Sequence, residues 1–342
     1  MISSPLFTIS IPTYNRADYL RKNLEQLRSE LMGIPVGTVD ILVSDNCSED
    51  DTRSVVEAAA AAGVPLMYVR NDKNVGWGPN FFQCFDLAKG KYVLLLGDDD
   101  LLVDGALRLI VAELGPANYG IVCIRPYGFD HDFRAESPGA YGRRQMYAEG
   151  ARFLVAIGAL STMISACIIN KHVLSGVDTK RLFCGDLAHL NLVITAALRG
   201  GENLFVDRPL VACKRNNSSS YKFSKVFVQE YWQIMDSYRN SGLDDQSIRT
   251  IETRMLFSYY PFYLFLERLT TKEDHKTSLV HFSQRFGPRW LYKLWIAPTL
   301  ILPRPLALAW GAVTTAVGRI LGGELRRGLY FAASRCRRKL FA

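Results

Sequence analysis

Two hydrophobic periods alternate along the first hundred residues. The short apolar runs "LFTISIP" (6–12), "VDILVSD" (39–45), "PLMYVR" (65–70) and "KYVLLLG" (91–97) read as strands. Between them, "ADYLRKNLEQLRSEL" (17–31) sets Leu20, Leu24, Leu27 and Leu31 at spacings of 4, 3 and 4, the one-sided stripe of a helix. "SEDDTRSVVEAAAAAG" opens with Ser48 and Asp51 in capping-box spacing and closes on Gly63, which marks both ends of a second helix, and "GPNFFQCFDLAKG" (78–90) gives a third. Strands alternating with helices predict an α/β fold with a mostly parallel sheet covered on both faces. In such sheets ligands bind beyond the carboxyl ends of the strands.

The pattern becomes mixed from about 120 to 215. Strands are expected at "GIVCIRPY", "SACIIN", "LFVD" and "PLVACK", with a helix near "DLAHLNLVITAALRGG". From 224 to 284 it turns helical and aromatic. Two uncharged runs follow, "LWIAPTLILP" (294–303) and "PLALAWGAVTTAVG" (305–318), split by Arg304; each is shorter than the roughly 18–20 apolar residues a bilayer span needs.

Charge changes the picture at one end. Residues 285–342 hold eleven Lys or Arg and a single acid, Glu324, whereas the first 284 hold 30 bases and 32 acids. The C-terminal segment places Leu325, Leu329, Ala332, Cys336 and Leu340 on one helical side with bases around them, which predicts an interfacial membrane anchor or, alternatively, a helical hairpin packed on the domain. Nucleic acid is not an expected partner, because the interleaved aromatic pattern of such surfaces is missing. Seven cysteines without a C-x-x-C pair argue against a zinc site or a disulfide framework and fit a reducing compartment. "MISSPLFTISIP" reads as a first strand rather than a signal peptide, so a cytoplasmic location is expected.

Candidate chemistry gathers at the strand ends: "PTYNR" after the first, "SDNCSEDD" after the second and "GDDD" after the fourth. Three consecutive carboxylates repel one another unless a cation lies among them, and oxygen donors of this kind suit Mg²⁺ or Mn²⁺.

These three segments, in this order and spacing, resemble the donor site of the family 2 glycosyltransferases of the GT-A fold, over about residues 6–104 and more loosely over 160–220. The flavour of "SIPTYNR" and "GDDD" is similar to bacterial enzymes that decorate O-antigen, the abequosyltransferase type included. The resemblance implies a catalytic domain over 1–223, with a nucleotide-sugar half (1–104) and an acceptor half (105–223), followed by a helical extension (224–284) and a membrane-associating tail (285–342). It implies that Pro12, Thr13 and Tyr14 line the nucleoside pocket and that Asp45 accepts from the base; read from the sequence alone, Asp45 could also be a helix N-cap partner beside Ser48. Asp99 is the expected metal ligand, and Asp98 faces the ribose or reaches the metal through water. Asp100 either joins the metal or caps the following turn. Arg16 is a phosphate ligand or a helix-start charge. Asn74 and Gly76 of "RNDKNVGWGPN" bring backbone to the nucleotide. Lys214 and Arg215 of "ACKRNNSSSY" either neutralise pyrophosphate or belong to a solvated loop. Asp186 of "FCGDLAHLNL" stands where inverting members keep the base that deprotonates the acceptor, with Gly185 where a second acid is common; a lone aspartate at a helix start can also be a plain cap.

The resulting expectation is a cytosolic enzyme at the inner membrane surface, moving one sugar from a nucleotide-diphosphate sugar to a lipid-linked saccharide with inversion. "QRFGPRW" (284–290) departs from the Q-x-x-R-W signature of processive synthases by two residues and reads as structural. Two other classes share some features. A sugar-phosphate nucleotidylyltransferase would need a glycine-rich basic loop after the first strand, which "PTYNRADY" lacks. A non-catalytic nucleotide-sugar scaffold would keep Asp45 and the acid turn without needing Asp186.

Overall fold

The computed structural model describes residues 4–139, 142–183, 185–215, 222–270 and 275–322. The chain divides into two compact units, Met1–Ser218 and Ser219–Ala342. The first contains β1 (Phe7–Thr13), α1 (Ala17–Leu31), β2 (Val39–Asp45), α2 (Thr52–Ala61), β3 (Leu66–Arg70), α3 (Trp77–Leu87), β4 (Tyr92–Leu95), β5 (Leu101–Leu102), α4 (Ala106–Leu114), β6 (Ile121–Phe129), β7 (Arg144–Tyr147), α5 (Gly150–Ile157), β8 (Cys167–Asn170), α6 (Thr179–Leu182), α7 (Ala188–Arg199) and β9 (Asn203–Lys214).

The described strands form one sheet in the order β3-β2-β1-β4-β8-β6-β9-β5, with β7 on β9. Strands β1 to β4 are mutually parallel, β8 runs against β4 and β6, and β6 is parallel to β9. All seven residues of β1 are buried, as an inner strand covered on both faces requires. Its register puts Thr13 beside Asp45 and Ser10 beside Leu95, and the Leu96 amide continues the ladder to the Ser10 carbonyl at 2.9 Å. The ends of β1, β2 and β4 therefore deliver "PTYNR", "SDN" and "GDDD" to one edge.

Local departures from the sequence expectation have identifiable causes. Asp51 is the N-cap of α2 but makes no side-chain cap bond, and the Ser48–Asp51 box does not form: Asp50 Oδ1 accepts from the Thr52 amide at 3.1 Å, and the Ser48 amide is already taken by Asp45 Oδ1 at 2.8 Å. "LFVD" and "PLVACK" are one strand, β9, whose pairing with β6 slips on either side of Arg125, where Pro209 lacks an amide to donate. Residues 103–119, which the hydrophobic pattern leaves unassigned, include α4.

The second unit is helical, with α8 (Tyr231–Ser237), α9 (Asp245–Arg254), α10 (Tyr260–Thr270), α11 (His275–Phe286), α12 (Ala297–Ile301) and α13 (Arg304–Leu321). Three π-helical stretches, Lys225–Glu230, Met255–Tyr259 and Tyr292–Ile296, interrupt it. Side chains claim carbonyls in the first two: the Tyr260 hydroxyl donates to Phe227 O at 2.8 Å and the Trp295 indole to Phe257 O at 3.0 Å. Trp232, Tyr260, Phe282 and Phe286 fill the core of this unit. Arg285 and Arg289 of "QRFGPRW" pair with Glu252 at 2.6 and 2.8 Å, a structural assignment for both.

Candidate active site

The acid turn after β4 is held from beneath by α1. Asn23 Nδ2 donates to the carbonyls of Gly97 (3.1 Å) and Asp100 (2.6 Å), Gln26 donates to Leu102 O at 3.0 Å, and Glu30 accepts from the amides of Gly105 (2.7 Å) and Leu107 (2.9 Å). These three buried polar residues tie α1 to the backbone on either side of the short edge strand β5 and to the Leu102 carbonyl within it.

Asp98, Asp99 and Asp100 are all buried, at 4%, 7% and 9% exposure. Asp98 Oδ2 accepts from the Thr13 hydroxyl at 2.9 Å, and Arg16 spans the pair, with NH1 3.1 Å from Asp98 and NH2 2.6 Å from Asp99. Asp100 turns the other way. It accepts from the Lys214 amide at 3.1 Å and from the side chains of Ser165 and Cys213. Burial pushes Asp98 up to about 7, against the pull of Arg16 and with Asp99 adding to the rise; burial and then Asp99 raise Asp100 to about 7 as well. The turn is thus a site short of positive charge.

Among the described residues, no group of three or more His, Cys, Asp or Glu side chains is arranged to hold a metal unaided. A Mg²⁺-type ion takes only one or two carboxylates when phosphate oxygens complete its shell. The hard oxygen donors of Asp98 and Asp99, bridged by a guanidinium that already stands in as a cation, fit such an ion.

Asp45 is fully buried beside this turn. Oδ1 accepts from the Ser48 amide, Oδ2 accepts from the Tyr68 hydroxyl at 2.6 Å, and Arg70 Nε lies 3.5 Å from Oδ2. Burial, with Asp45 second, pushes the Tyr68 phenol well up, so it remains a donor. Pro12 is buried in β1, and Tyr14 is 40% exposed at its mouth.

Asn74 and Gly76 are brought together by a residue absent from the expected set, Asn46. Its Nδ2 donates to Asn74 Oδ1 (2.8 Å) and Gly76 O (3.2 Å), while its Oδ1 accepts from the Val75 amide (2.9 Å) and Asn71 Nδ2 (3.1 Å). Gly76 adopts φ 89°, a conformation that favours glycine, as it opens α3. The available signal was position: Asn46 follows directly on the end of β2.

Lys214 and Arg215 reach elsewhere. The Lys214 ammonium donates to the Asp130 carbonyl, and Arg215 lies 2.9 Å from Asp130 and 3.5 Å from Glu136. Only the Lys214 backbone meets the acid turn in these contacts. Asp186 stands half-buried two residues ahead of α7, as the helix-start expectation has it. The 216–221 segment and the tail beyond 322 lie outside the described residues.

Comparison with known proteins gives four findings. Residues 8–173 match the family described as Glycosyl transferase family 2. Abequosyltransferase RfbV of Salmonella typhimurium is 25% identical over 236 residues, covering 65% of this chain and 70% of that one. The GalNAc(5)-diNAcBac-PP-undecaprenol beta-1,3-glucosyltransferase of Campylobacter jejuni is 33% identical over 111 residues, which span 32% of this chain and about a third (34%) of that enzyme. Among solved structures, S. aureus TarS 1-349 in complex with UDP-GlcNAc superposes with a TM-score of 0.58 at 16% identity, covering 93% of this chain and 92% of the other, a likeness of fold.

Proposed function

We propose that this chain, whose residues 8–173 match glycosyl transferase family 2 and whose sheet is that of a GT-A glycosyltransferase, transfers a single sugar from a nucleotide-diphosphate sugar to a lipid-linked saccharide, with inversion, in bacterial surface-polysaccharide synthesis. The observation that carries the donor half is the buried acid turn with Arg16 and Thr13 against it. The acceptor half is supported by the Campylobacter relative, a beta-1,3-glucosyltransferase named for an undecaprenol-linked saccharide. Such an acceptor would be met at the cytoplasmic face of a membrane.

The residues gathered at the acid turn, and Asp186, take these roles in this reading. Asp99, with Asp98 beside it, would hold Mg²⁺ or Mn²⁺. Bound there, the ion would offset negative charge on the departing nucleoside diphosphate. Thr13 fixes the Asp98 carboxylate by its hydrogen bond, and Arg16 supplies a second positive group for phosphate oxygens. Asp45 presents the base-recognition edge, braced by Tyr68 and Arg70, while Asn46 holds the Asn74–Gly76 backbone against the nucleotide. Asp100 secures the turn to β9. Asp186 accepts the proton from the acceptor hydroxyl as that oxygen bonds to the anomeric carbon and becomes acidic.

The test is a two-part assay: thermal stabilisation by UDP, CDP, dTDP and GDP with and without Mn²⁺, then transfer from the matching sugar nucleotide. Asp186→Asn should bind the nucleotide as tightly as the parent protein and lose transfer by about a thousandfold. Retained turnover would remove Asp186 from the mechanism. Absence of any metal-dependent nucleotide response would remove the donor site.

A further inference from the structure

Helix α13 is built the opposite way from a helix that meets water. Its buried positions are the small residues Ala307, Gly311, Thr314 and Gly318. They let its backbone approach closely: a Cβ on Gly318 would sit 2.4 Å from the Phe257 carbonyl oxygen, and one on Gly311 would sit 3.2 Å from the Phe265 ring. The bulk is outside. Leu306 is 58% exposed, Val313 54%, Ile320 49%, Leu321 70% and Trp310 37%. A surface helix in water buries such residues and shows charge instead.

The charged residues of α13 are Arg304 and Arg319, near its two ends, and both engage the protein. Arg304 donates to the carbonyls of Arg268 (3.2 Å) and Leu269 (3.0 Å), and Arg319 lies 4.1 Å over the Phe262 ring. The outward face between them is apolar over about four turns. Trp310 extends it sideways, since its indole donates to the Trp295 carbonyl at 3.2 Å, next to Leu294, itself 64% exposed, and the exposed Lys293.

Charge identifies the occupant. Residues 285–322 contain five bases and no acid, and residues 323–342 contain six bases and one acid. Arg285 and Arg289 are committed to Glu252, but Lys293 is exposed beside the patch and residues 323–342 add six bases against one acid. An apolar helix face followed by a basic segment matches the boundary of a bilayer with anionic headgroups. A second copy of this face would bring like charge against like charge, and the tail that follows α13 has the same sign. No helix among the described residues is long and apolar enough to cross a membrane, so α13 would lie in the plane of the interface.

We propose that the outer face of α13 docks this protein on an anionic lipid bilayer. The proposal deepens the reading of a lipid-linked acceptor and rests on it for what the docking serves. The test sediments the full chain with vesicles of phosphatidylcholine alone and of phosphatidylcholine mixed with phosphatidylglycerol. Beside it run the triple variant Leu306→Ser, Val313→Ser, Ile320→Ser and a tail variant with Arg335, Arg337, Arg338 and Lys339 changed to Gln.

The parent should bind the mixed vesicles in preference to the neutral ones, and the triple variant should lose roughly a hundredfold in partitioning. Its melting temperature and nucleotide stabilisation should stay at parent values, which separates lost docking from lost folding and from failure of the donor site. The proposal is overturned if the triple variant sediments like the parent, if neither vesicle binds the parent, or if the triple variant changes the oligomeric state and leaves vesicle binding intact.

Discussion

Arg16→Met removes the charge opposite the acid turn while keeping a stem to pack 4.7 Å from the Tyr19 ring, where the guanidinium carbon now lies. In the parent, one guanidinium serves two carboxylates, at 3.1 Å from Asp98 and 2.6 Å from Asp99. Breaking a buried pair from one side costs about 3–5 kcal/mol, because the partner charge is left without compensation. The Arg16 side chain is 27% exposed, so solvent screens part of this, and about 2–3 kcal/mol is expected at neutral to alkaline pH.

The cost should depend on pH with a definite sign. Asp98 and Asp100 hold their protons up to about 7 in the folded protein, against an ordinary 3.8. Between those values the folded state binds more protons than the unfolded one, so stability is greatest below about 4 and falls as pH rises through about 7. Without Arg16, Asp98 protonates more readily still. At about pH 5 the variant should therefore melt within a degree or two of the parent, and at about pH 8 it should melt some 4–12 °C lower. Mg²⁺ or Mn²⁺ at about pH 8 should narrow the gap, since an ion among the carboxylates replaces the missing charge. Melting curves at both pH values, with and without the ion, decide the matter. A gap independent of pH, or indifference of both proteins to the ion, would refute the account of the turn as a site short of positive charge.

Other consequences follow from single contacts. His189 is buried in α7 with Nε2 2.8 Å from the Thr162 carbonyl, and burial pulls its imidazole down to about 4 from an ordinary 6.5. The unfolded chain takes the proton first as pH falls, so this contribution is present above about 6.5 and lost down through about 4, opposite in sign to the aspartates. Measured as the parent-minus-variant difference in unfolding free energy, His189→Gln should reveal a term of about 3 kcal/mol that disappears between about pH 7 and 4, and a pH-independent difference would exclude it. Asn46→Ala removes four hydrogen bonds from the loop before α3 and should weaken nucleotide binding about tenfold or more in calorimetric titration; unchanged binding would show that Asn74 and Gly76 do not need it. Gly318→Ala forces a Cβ to within 2.4 Å of a carbonyl oxygen and should cost about 1–3 kcal/mol in denaturant melts, whereas a neutral result would mean that α13 moves freely against its neighbours.

What could be read from the chain before its structure divides along a physical line. The strands were legible because β1, β2 and β4 are buried on nearly every residue, so a polar break in the run marks a strand end, and three aspartates at such a break mark chemistry. Partners distant in sequence were not legible. Asn23, Gln26 and Glu30 look like ordinary polar positions of an amphipathic helix; their meaning comes from backbone some 75 residues away, in and around the two-residue edge strand β5. Lys214 and Arg215 look available for phosphate until Asp130 and Glu136, in a different loop, are placed beside them. The same limit applies to α13 in another form. A period near 3.6 separates its bulky side from its small side, but which side faces protein depends on how closely Gly311 and Gly318 let it approach its neighbours. That distance is a property of the partner surface, and it is the distance that turns Leu306, Val313 and Ile320 outward.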